Sequence, residues 1–96
     1  MSGSDAQKIL DQLGKKLAVI IFDNNMRLRV NVFDEYGRGI SLDDISVVTI
    51  GDDDFIQVKT MDYSTRSKIV CLYPCEIIQG IIYSENELAP LDFICK

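Results

Sequence analysis

The longest unbroken apolar run in this chain, Leu17 to Phe22, stops after six residues at Asp23-Asn24-Asn25. Later runs are cut in the same way, by Gly51-Asp52-Asp53-Asp54 and by Asp62-Tyr63-Ser64-Thr65-Arg66. Short segments rich in Val, Ile, Phe and Tyr, each closed by Gly, Asn or Asp, are the pattern of strands joined by tight turns. None approaches the roughly 20 apolar residues that a membrane-spanning helix needs.

The chain therefore reads as mainly β, in the α+β class. Leu17–Phe22 is the first strand. Leu28, Val30 and Val32 alternate with Arg27, Arg29 and Asn31 in the second, which puts one face in the core and the other in water. Asp34 to Gly39 is a polar loop. Further strands are expected over 45–50, 55–61, 67–73 and 77–83. Pro74 has no N–H to give a central ladder, so VCLYPCEII is expected to be the corner where one strand ends and the last begins.

One segment has a helical period. Ala6, Ile9, Leu10 and Leu13 share a face, Ser4-Asp5-Ala6-Gln7 has the form of a capping box, and Gly14 supplies a stop. A helix over 5–13 is too short to be stable alone, so its stripe must pack on the sheet. The expected architecture is one domain over 5–96, a strongly curved antiparallel sheet or small barrel of five to six strands behind a short N-terminal helix. Met1–Ser4 is expected to be an appended or disordered start. In the tail, Pro90 blocks a long helix, while Leu91, Phe93 and Ile94 suit a short edge strand or a wrap.

The chain contains no histidine. That removes the commonest general base and metal ligand, and with it Ser-His-Asp and Cys-His catalysis. Cys71 and Cys75 would stand about 13 Å apart on one extended strand, at about 3.3 Å per residue, far beyond disulfide geometry. Zinc would need four ligands, and beyond three cysteines the fourth would have to be an Asp or Glu or come from a second chain. Cys71, Cys75 and Cys95 therefore read as small hydrophobes. The consecutive carboxylates of GDDDF lack the alternate spacing of a calcium loop and read as a solvated hairpin tip. No glycine-rich phosphate motif occurs. No metal, cofactor or enzymatic activity is expected.

Net charge is −5, unevenly spread: residues 1–40 carry six Lys/Arg and five Asp/Glu, residues 41–96 four and ten. This acidic balance disfavours non-specific binding to phosphate backbones. A small basic patch is still conceivable. Arg27 and Arg29 point the same way from one strand, with Lys59, Arg66 and Lys68 on or near later ones. Tyr36 with Arg38, and Tyr63 with Arg66, pair an aromatic ring with a cation, as single-strand binders do. These eight residues are the candidate interaction set, against the plainer reading that they solvate an outer face. Lys8, Asp11, Lys15 and Lys16 interrupt the start before any leader-like apolar stretch, so a cytoplasmic chain without membrane contact is expected.

The order of elements resembles an Sm-like or SH3-like small β-barrel. The residues that carry the likeness are a short helix, then LGKKLAVIIFDNNMRLRVNVF, acidic turns, and SKIVCLYPCEIIQGIIY, with LYPCEI where a brief turn separates the last two strands. The likeness covers residues 5–84 and implies ring oligomers and contact with RNA. The chain departs from the pattern at the second-strand glycine, where Val30 or a neighbour stands, and in GDDDF, which lacks the Asn of the RNA pocket. Ile40–Ile50 reads as an additional strand. No RNA-binding residue is carried over. The expected function is a non-catalytic protein-interaction module that binds itself or another chain, through a strand edge or the tail. RNA binding through the basic patch is the alternative.

Overall fold

The computed structural model describes residues 1–85. The readings at Pro90, Leu91, Phe93, Ile94 and Cys95 lie outside the described residues. Helix α1 runs Gly3–Leu13. It begins earlier than expected because Ser2, not Ser4, is the cap, its hydroxyl accepting from the Asp5 N–H at 3.2 Å. Gly3 is buried and Met1 packs against the core. A carboxylate explains the extension. Asp54 Oδ2 accepts from the Gly3 N–H at 3.1 Å, at the positive end of the helix dipole, and Asp54 Oδ1 accepts from Thr49 Oγ1 at 2.7 Å. A Cβ at residue 3 would overlap that carboxylate, so the contact needs glycine. One member of the expected solvated tip is therefore an anchor for the helix.

Among the described residues eight strands follow: β1 (Ala18–Phe22), β2 (Arg27–Val30), β3 (Val32–Phe33), β4 (Gly39–Ile40), β5 (Ile45–Ile50), β6 (Asp53–Asp62), β7 (Ser67–Pro74) and β8 (Ile78–Tyr83). They pair only antiparallel, in sheets ordered β2-β1-β8, β3-β4 and β5-β6-β7. The fold is mainly β with an N-terminal helix, and among the described residues its three sheets do not close into a barrel. No helix among the described residues is long and apolar enough to cross a membrane.

The strand count exceeds five to six because the expected second strand breaks at Asn31. This residue has φ +62°, a left-handed conformation that Asn tolerates better than most residues. Its side chain then serves three backbone groups. Nδ2 donates to Gly14 O at 2.9 Å and Lys16 O at 2.7 Å, and Oδ1 accepts from the Leu42 N–H at 3.0 Å. Its own N–H donates to Ile40 O at 2.7 Å, beside the two-residue β4 that the expected loop conceals. Past the bend Val32 is half-buried and Phe33 is exposed.

The core lies between α1 and the two larger sheets. Ala6, Leu10 and Leu13 meet Ile20, Phe22 and Val30 from one sheet and Ile45, Ile56 and Val58 from the other. Cys75 and Ile78 close it at the corner after Pro74, where a short 3-10 turn, Cys75–Ile77, leads into β8. Ile56→Ala removes a fully buried side chain and should cost about 2–5 kcal/mol in urea unfolding. Asn31→Ala should cost about 3 kcal/mol, through the lost hydrogen bonds and a left-handed alanine, and Asn31→Gly about 2, since glycine keeps the bend. Losses under about 0.5 kcal/mol for both Asn31 variants would show that the bend holds without this side chain.

Candidate functional site

The residues of the expected basic patch come from two different sheets. Arg27 and Arg29 are exposed on β2, where they alternate with buried Leu28 and Val30. Lys59 and Lys68 belong to the other large sheet, as diagonal neighbours on β6 and β7, and Arg66 sits in the turn between those strands with φ +57°. Tyr36, Arg38 and Tyr63 do come together, as a clasp. Asp34 Oδ1 accepts from the amides of Tyr36 and Arg38, both at 2.9 Å, and Asp34 Oδ2 accepts from Arg38 Nε at 2.9 Å. The Arg38 guanidinium then lies 4.9 Å from the Tyr36 ring centre and 5.4 Å from that of Tyr63. The clasp ties the β3–β4 hairpin to the β6–β7 turn. It occupies Arg38 with a carboxylate and two aromatic faces.

Beside the clasp runs a groove of about 470 Å³, lined by Asp44, Lys59, Tyr63, Lys68, Ile69 and Val70 among others. Its wall is partly β7 itself. In the sheet β5-β6-β7, Ile45, Ile56 and Val58 face the core, so by alternation Val48, Phe55, Val70 and Leu72 face away from it. Val70 and Leu72 are 58% and 43% exposed, and Ile69, on the opposite face, is 41% exposed. β7 is also the last strand of its sheet: among the described residues nothing pairs with its second edge. Lys68 and Pro74, the two residue types that commonly protect an edge, stand only at its ends. Ile69 to Tyr73 between them is an apolar ladder edge.

The thiols are placed as packing groups. Cys71 and Cys75 are both free. Cys75 is buried, and burial pushes its thiol pKa up, with the Asp54 carboxylate adding to the effect. A raised pKa leaves less thiolate and hence a poorer nucleophile. Tyr73 stacks on Phe22 with ring centres 5.1 Å apart, and its hydroxyl pKa is pushed up by burial and by neighbouring Cys71. Among the described residues no three Cys, Asp or Glu converge as metal ligands.

Ile69, Val70 and Leu72 carry neither charge nor aromatic ring and stand outside the expected interaction set. A signal was present: FIQVKTM and SKIVCLY carry apolar residues at both parities, the mark of strands with two apolar faces. Comparison with protein families, with curated proteins and with solved structures gives no match.

Two carboxyls should report local order. Two backbone amides, that of Arg38 foremost, and the Arg38 guanidinium hold Asp34 below its ordinary 3.8, and the hydroxyl and amide of Ser64 hold Asp62 below the same value. Each therefore binds its proton less readily folded than unfolded. The stability they lend is complete above 3.8 and is lost as pH falls through their lowered folded values. NMR titration should place both midpoints below 3.8, with Ser64→Ala moving Asp62 back toward it. Ordinary midpoints in the folded protein would mean that these turn hydrogen bonds do not persist in solution.

Proposed function

We propose that the protein is a non-catalytic protein-interaction module that associates with copies of itself. The observation that carries the reading is the apolar edge of β7, unpaired among the described residues and flanked by exposed Val70 and Leu72. An open edge presents N–H and C=O groups in register for another strand, and an identical strand is always a stereochemically competent partner. The acidic net charge and the separation of Arg27 and Arg29 from Lys59 and Lys68 favour a protein partner over RNA.

Sedimentation velocity should show association that rises with concentration into the high micromolar range. Val70→Lys places a charge on the exposed face beside the edge and should weaken it about tenfold or more, with little change in melting temperature. A monomer at every concentration would overturn the proposal. Titration with mixed-sequence single-stranded RNA at low salt should be flat. Salt-sensitive binding abolished by Arg27→Ala with Arg29→Ala would instead favour the RNA-binding alternative.

A further inference from the structure

We infer that the association is a two-fold dimer in which β7 pairs antiparallel with β7 of a second copy, in the register that sets Cys71 opposite Cys71. The inference rests on the self-association proposed above and adds its geometry. In a two-fold antiparallel pair, residues that face each other lie on the same face of the sheet, so the axis must pass through a residue rather than between two. Two centres compete, Val70 and Cys71. The apolar block Ile69-Val70-Cys71-Leu72-Tyr73 is centred on Cys71. Pairing about Cys71 sets Ile69 against Tyr73 and Val70 against Leu72, apolar on apolar throughout. Pairing about Val70 sets Lys68 against Leu72 and Ser67 against Tyr73, polar on apolar, and so is the poorer match.

Charge favours the same arrangement. The β6–β7 hairpin is basic at its turn end, with Lys59, Arg66 and Lys68, and the Asp62 carboxylate there accepts from the Ser64 amide and hydroxyl. The opposite end carries Asp52, Asp53, Asp54 and Glu76. Antiparallel self-pairing lays each basic end beside the acidic end of the second copy, and the Cys71-centred register brings Arg66 toward Glu76. Both of these side chains are exposed. The result would be a six-stranded sheet, β5-β6-β7 doubled across the axis.

Facing residues in an antiparallel pair have Cα atoms about 4.5–5.5 Å apart, within the span of a disulfide. The test uses full-length Cys95→Ser protein, in which buried Cys75 is shielded. Diamide takes up the two electrons and two protons released as one S–S bond forms. Above the association threshold it should give a covalent dimer on a non-reducing gel, and Cys71→Ser should abolish that band. In sedimentation without oxidant, Arg66→Glu and Glu76→Arg should each weaken the dimer about tenfold, two pairs being lost at once, and the double variant should recover it. Association without a Cys71-dependent crosslink, without recovery in the double variant, or into species larger than a dimer by pairing β7 with the β8 edge, would overturn this geometry and leave self-association standing. A monomer at every concentration would overturn both.

Discussion

The side-chain amide of Asn31 joins parts of the chain that no ladder connects. It holds the carbonyls of Gly14 and Lys16, where the helix hands over to β1, and the amide of Leu42, where the chain leaves β4. These groups are partly buried or stand at element ends, where an unmet backbone donor or acceptor would cost about 1–3 kcal/mol. The left-handed backbone that positions the amide is the same feature that stops β2 and redirects the chain. One residue thus ends one sheet and holds the start of the segment that leads to the next.

That redirection fixes what remains open. Once the chain has turned, β5 lies against α1 and β6 is paired on both sides, so among the described residues β7 is the terminal strand of its sheet. β7 is held at one end by the stack of Tyr73 on Phe22 and at the other by a turn that the Arg38 clasp steadies. Between these ends the strand stays in register with β6 for its full length, without a bulge. A bulge or an inward charge would have blunted the edge. Its absence leaves a preformed template, so pairing with a second copy would order little that is not already ordered.

Much of the fold was legible because strand and helix periods are local properties. The runs at Leu17–Phe22 and Ile45–Ile50, the turn at Gly51 and the corner at Pro74 could all be read from neighbouring residues. Asn31 was misplaced because its alternation with Val30 and Val32 looks like a strand, and only contacts reaching back to Gly14 and forward to Leu42 reveal the bend. Asp54 was misread for a similar reason: three consecutive carboxylates look like a solvated tip until the helix amide that one of them accepts from is in view. The candidate surface was hidden by chemistry rather than by distance. Charged and aromatic residues attract attention, and three of them, Tyr36, Arg38 and Tyr63, are used to hold the molecule together. The surface that stays open is aliphatic.

If β7 pairs with a second copy, its outer N–H groups pass from water into a ladder. Amide hydrogen exchange read over residues 69–73 at two protein concentrations tests it directly, because each edge N–H that points away from β6 is either in water or in a ladder. Slow exchange is expected in this segment well above the association threshold and fast exchange well below it, with α1 and β1 unchanged. Identical exchange at both concentrations would contradict it.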